Sequence, residues 1–99
     1  MIDRTTAQAN ADAELRRMGF GSDVVIAEDA TVEHAVGWVF FYNTREYLET
    51  ENLDVFLVGA APMIVERADG TVHQTLSGRP WSWDLANLEA AANAGAPDA

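Results

Sequence analysis

The chain contains no cysteine and no lysine. Without cysteine there is no disulfide framework, no thiolate nucleophile and no cysteine-built metal centre. Long apolar runs are missing too: none approaches the roughly 20 residues needed to cross a bilayer. The opening Met1-Ile2-Asp3-Arg4-Thr5 does not have the basic-then-apolar layout of a secretion signal. The expected location is therefore the cytoplasm, with no membrane partner. Basic residues are scarce, six arginines against 16 acidic residues, and the formal charge is −10. A surface of that sign repels nucleic acid and anionic lipid and attracts a basic partner. Solubility alone is the competing explanation for the charge.

Motifs that carry chemistry are also missing. His34 and His73 are the only histidines, and no His-x-x-x-His or His-Glu-x-x-His spacing occurs, so no metal site is expected. Ser22, Ser77 and Ser82 lack a Gly-x-Ser-x-Gly setting, and the scattered glycines form no phosphate-cradling loop. No cofactor and no catalytic residue is expected on these grounds. A carboxylate pair could act as acid and base only if an apolar pocket shielded one member, which would consume much of the core of a chain this short.

What remains is a chain of 99 residues, 48% of them hydrophobic, enough for one core and not for two. Thr5 followed by Gln8 has the spacing of a capping box. Ala7, Ala11, Leu15 and Met18 then line one face of a helix over residues 5–18, which Gly19 terminates. Val24 to Ala27 reads as a short strand, and Glu28 to Thr31 as the turn of a hairpin whose partner starts near Glu33 or Ala35. Val36 to Tyr42 is the strongest strand signal, rich in aromatic and β-branched residues, and reads as a central strand covered on both faces. Asn43 to Leu53 reads as irregular. Met63 to Arg67 and Thr71 to Thr75 flank Asp69-Gly70 as a hairpin. Pro80 opens a closing helix carrying Trp81, Leu85, Leu88 and Ala92. The expected fold is a single compact α+β domain over residues 1–93: an N-terminal helix, an antiparallel sheet of about four strands and a C-terminal helix. A flexible tail is expected over 94–99.

Two acidic clusters and one aromatic pair stand out as candidate partner-binding residues. Glu28, Asp29 and Glu33 surround the expected hairpin turn, and Glu46, Glu49, Glu51 and Asp54 fall in the irregular segment. Each cluster is a solvated acidic face or a docking surface for a basic partner. Trp81 and Trp83 lie two apart on the closing helix, so they cannot both bury against one patch. One is expected inward and one exposed, as tryptophan often is at binding hot spots.

Three segments together resemble a known family. Gly37-Trp38-Val39-Phe40-Phe41-Tyr42-Asn43-Thr44-Arg45-Glu46-Tyr47-Leu48-Glu49-Thr50, then Leu57 through Val65, then Asp69-Gly70-Thr71-Val72-His73 with Arg79-Pro80 downstream, are similar to the conserved core of the YrhB-like, or immunity protein 35, family. Ala60 departs from that family's usual asparagine, and Glu51-Asn52 stands where Glu-Thr is usually followed by Gly-Asp. The resemblance implies an immunity protein of a bacterial polymorphic toxin system. Such a protein neutralises a cognate toxin domain by occluding its active site and has no catalytic residues of its own; the −10 charge points to a toxin with a basic cleft. A chaperone-like holdase for unfolded clients and a small-ligand-binding domain are the alternatives. The oligomeric state is left open by the sequence.

Overall fold

The computed structural model describes residues 1–94, and side chains through Ala92. Helix α1 spans Arg4–Arg17. Its cap is Asp3, whose carboxylate accepts from the Thr6 backbone N–H, and not the expected Thr5–Gln8 box. An aspartate at this position satisfies an orphan donor and also places negative charge at the positive end of the helix. Ala7, Ala11 and Leu15 are fully buried, but Met18 is the C-cap and is exposed, so the apolar stripe stops one turn earlier than expected. Gly19 adopts φ +94°, donating to the Arg16 carbonyl while Phe20 N–H donates to Leu15, which closes the helix as a Schellman motif.

Six strands follow, in sheets of two and four. β1 (Val24–Ile26) does not form a hairpin with its sequence neighbour β2 (Val32–Glu33). Glu28–Ala30 is instead a 3-10 turn that leads the chain from one sheet to the other. The expected central strand divides at Phe41 into β3 (Gly37–Phe40) and β4 (Tyr42–Thr44), which take different partners. β4 pairs with β1, Ile26 opposite Tyr42, and Ala27 N–H donates to the Phe41 carbonyl at the division. β3 lies between β2 and β5 (Met63–Glu66) and is buried along its whole length. β5 continues through the Asp69-Gly70 hairpin, with Gly70 at φ +79°, into β6 (Val72–Gln74), Val65 opposite Val72. The four-stranded order is β2-β3-β5-β6, antiparallel throughout.

Residues 43–53 are not irregular. Thr44 caps a short helix α2 (Arg45–Thr50), accepting from the Tyr47 N–H at 3.1 Å, and a second 3-10 turn follows at Leu53–Val55. Helix α3 spans Trp81–Ala94. Ala94 is therefore helical, and the rest of the expected tail, 95–99, lies outside the described residues.

Strand alternation sends side chains to two faces. Trp38, Phe40, Met63 and Val65 meet α1 in the larger core cluster, which also takes in Val24, Ile26 and Tyr42. Val39 and Ile64 face the other way and meet Leu85 of α3, with Phe41, Trp81 and Leu88 half-buried around them. Each large side chain fully removed from water contributes about 1.5–3 kcal/mol, and α1 and the sheet supply nearly all of them. Among the described side chains α3 contributes one buried residue, Leu85.

Candidate partner-binding site

The two acidic clusters are separate in sequence and partly joined in space. Glu28 and Asp29 lie on the first 3-10 turn, exposed, beside the N-terminal half of α1. Arg4 donates to the Glu28 carbonyl at 2.8 Å, and the Gln8 amide donates to the Glu28 carboxylate. An open concavity of about 640 Å³ runs between this turn and α1, with Arg4, Gln8 and Asp12 in its walls. A second, of about 530 Å³, extends from Glu28 and Asp29 across β1 to Arg45, Leu48 and Glu49 of α2. Glu28, Asp29 and Glu49 therefore border one surface depression.

Glu46 sits in the first turn of α2, where a carboxylate is favourable beside the helix N-terminus. Glu51 is the C-cap, at φ +58°, ψ +24°. Glu51 is the only non-glycine among the described residues with positive φ. Asn52 and Asp54 continue into the second 3-10 turn, where the Asn52 side chain accepts from Asp54 N–H at 3.0 Å. All four acidic residues of this cluster are exposed.

The remaining candidates lie elsewhere. Glu33, on β2, forms a 2.9 Å ion pair with Arg67, whose guanidinium also donates to the His34 carbonyl and stacks 4.3 Å from the Trp38 ring centroid. That arrangement ties the β2–β3 turn to the end of β5 through Glu33. Trp81 packs inward, edge to face with Phe41 at 5.9 Å. Trp83 is 53% exposed and carries the Arg79 guanidinium 4.1 Å from its ring centroid. The pair thus divides as the helical spacing requires, on the sheet face opposite α1.

The titration of the acidic groups follows from local hydrogen bonding. The carboxylates that depart from ordinary values all move downward. Glu14 is held at about 2 by hydrogen bonds from Arg17 and Gln74. Asp3 and Asp69 are lowered by backbone N–H groups of Thr6 and Thr71. This is the signature of anions in caps and ion pairs. His73 is on β6 with its Nε2 2.8 Å from Glu66, and His34 lies 3.4 Å from Glu89 of α3. No group of three or more histidine or acidic side chains among the described residues could hold a metal ion.

The residue that sequence reasoning passed over is Asn43. It is 6% exposed, and its side chain behaves as a missing strand: Oδ1 accepts from Leu57 N–H at 2.8 Å and Nδ2 donates to the Leu57 carbonyl at 3.4 Å. Beside it, the Thr44 hydroxyl donates to the Val55 carbonyl at 2.7 Å. Together they pin residues 55–57 against β4. The only sequence signal was an asparagine directly after an aromatic strand, which also reads as a turn residue.

A model of the immunity protein 35 family matches residues 5–88, from the start of α1 to the end of the second turn of α3. The chain belongs to the immunity protein 35 family. It is also 36% identical over 53 residues to the uncharacterized protein YrhB of Escherichia coli strain K12. That similarity covers 54% of this chain and 56% of the relative, so it spans about half the length of each. No solved structure matches the chain. The family match includes both acidic clusters and both tryptophans, and it ends before the last residues of α3.

Proposed function

We propose that this protein is an immunity protein that binds a cognate bacterial toxin domain in the cytoplasm of the producing cell and neutralises it by occluding its active site, without catalysis of its own. Membership of the immunity protein 35 family across residues 5–88 carries this reading. The surface supports it: a formal charge of −10 and acidic clusters beside open depressions suit a partner with a basic cleft. No helix among the described residues is long and apolar enough to cross a membrane, in keeping with a protein that meets its partner in solution. The test is co-expression with toxin domains from the same genome, each expressed with and without this chain. Neutralisation predicts that cells survive and that a complex persists through purification. Death of the cells together with no recoverable complex overturns the proposal.

A holdase role has one specific observation in its favour, the exposure of Leu53, Val58 and Leu76 at 76%, 84% and 58%. It predicts that an equimolar amount of this protein suppresses light scattering from heated, unrelated client proteins. Unchanged scattering removes that reading.

A further inference from the structure

Between Arg45 and Arg67 the chain has neither a basic residue nor a histidine, while Glu46, Glu49, Glu51 and Asp54 crowd the first half of that stretch. The same stretch exposes Leu48, Leu53, Phe56 and Val58, four of the eight large exposed hydrophobics among the described residues. Isolated apolar side chains at a surface need no explanation, but this many along residues 48–58 do. Leu53 and Val58 are more exposed than any other large hydrophobic except Met1.

The segment is held in place. Asn43 and Thr44 bind the backbone of residues 55–57 from β4, and the Tyr47 and Phe56 rings meet at 4.7 Å, which joins the 3-10 turn to α2. These apolar side chains are therefore displayed on a fixed framework, which lowers the ordering cost of association. The left-handed backbone at Glu51 adds to this. Glycine occupies such a cap without a Cβ clash, so a glutamate there keeps a carboxylate at the rim of the segment at the expense of local backbone energy.

We propose that α2 and the following 3-10 turn form the docking surface for the toxin domain, with Leu53, Phe56 and Val58 seating in an apolar depression that lysine and arginine side chains surround. The proposal rests on the immunity reading above and adds the face and the chemistry of its partner. An apolar centre inside a polar rim is the usual anatomy of a protein interface. Charge selects among possible occupants. A second copy of this chain would bring Glu46, Glu49, Glu51 and Asp54 against their own equivalents, and an anionic membrane or nucleic acid would be repelled in the same way. A basic protein surface gains on both counts.

The experiment uses the full chain and a catalytically inactivated form of the toxin domain that it neutralises in the co-expression test above. A photo-crosslinking amino acid is placed at Leu53, at Val58 and, as a competing face, at Trp83 on α3. Capture of the toxin from positions 53 and 58 and not from 83 is expected; capture from 83 alone overturns the proposed face. In parallel, Glu49→Lys with Asp54→Lys, and separately Leu53→Ser with Val58→Ser, are expected to weaken binding by about tenfold or more. These side chains are exposed, and far-ultraviolet circular dichroism and the thermal midpoint check that the variants remain folded. Glu51→Gly separates structure from binding, because it is expected to raise the thermal midpoint and yet slow association. Wild-type binding of all these variants with wild-type crosslinking elsewhere overturns the docking face and leaves the immunity reading standing. Failure of the unsubstituted chain to bind the toxin overturns both.

Discussion

Gly37 shows how one residue type can be dictated from across a sheet. A Cβ placed there would lie 2.0 Å from the Val65 carbonyl oxygen and 2.9 Å from its carbon, both backbone atoms of the paired strand β5. Backbone cannot step aside as a side-chain tip can, so Gly37→Ala is expected to cost at least about 2 kcal/mol, measured by urea denaturation. Glu51 is the converse, a residue that its backbone does not favour. Replacing it with glycine relieves the left-handed strain, offset in part by the entropy glycine gains when unfolded. The expected net stabilisation is roughly 0.5–1 kcal/mol, visible as a higher thermal midpoint. Glu14 gives a prediction in pH. Its carboxyl is held at about 2 in the folded chain against the 4.5 of an ordinary glutamate, so the unfolded chain binds the proton more readily in between. Its stabilising contribution is complete above about pH 4.5 and is lost as pH falls toward 2. The stability gap between wild type and Glu14→Gln should therefore close over that window, as denaturant titrations at stepped pH would show.

The elements differ in how firmly they are attached. α1 buries Ala7, Ala11 and Leu15 completely and is tied down at both ends, by Asp3 at the start and by the Schellman closure at Gly19. Arg16 strengthens that end by donating to the Phe20 and Val24 carbonyls. α3 has Leu85 as the one buried residue among its described side chains, with Trp81 and Leu88 half-covered and an Arg79–Asp84 ion pair of 2.7 Å near its start. Leu85→Ala is expected to cost about 2–4 kcal/mol, with the loss concentrated in α3. Hydrogen exchange should show its amides losing protection while those of β3 and β5 keep most of theirs. α2 is short and has no buried residue, and it owes its place to the Thr44 cap and to the contacts of the segment that follows it. A six-residue helix of this kind would not persist alone in water.

At the scale of the whole molecule, charge and apolar exposure are distributed unevenly. The two strongest arginine anchors, Arg16 and Arg67, are engaged in holding backbone carbonyls, and Arg17 and Arg79 are paired with Glu14 and Asp84. Arg45, the first residue of α2, is thus the one nearby cation set against the four acidic residues of α2 and the turn after it. Long-range attraction of a basic partner should set the association rate more than the lifetime of the complex. Raising the ionic strength from about 0.05 to about 0.5 M is expected to slow toxin association steeply while changing dissociation little, as stopped-flow mixing would show. An association rate indifferent to salt would remove the electrostatic part of the mechanism.

The sequence by itself determined the family and those local elements with strong signals, but not α2, which it read as irregular. Apolar spacing of four placed α1, aromatic and β-branched density placed β3, Asp69-Gly70 placed the β5–β6 hairpin, and the motif from Gly37 to Thr50 identified the family to which residues 5–88 conform. These signals are legible because each arises among residues close in the chain, through helical periodicity, strand propensity or turn geometry. Strand partnership belonged to the tertiary structure. Nothing local tells β1 to pair with β4 in place of β2, or divides the aromatic strand at Phe41, because pairing depends on which faces must be buried against α1 and α3. The same holds for the surface. Sequence supplied the acidic residues, but only the fold paired Glu33 with Arg67, brought Glu49 beside Glu28 and Asp29, and left Leu53 and Val58 in solvent where a buried Asn43 holds their segment against β4.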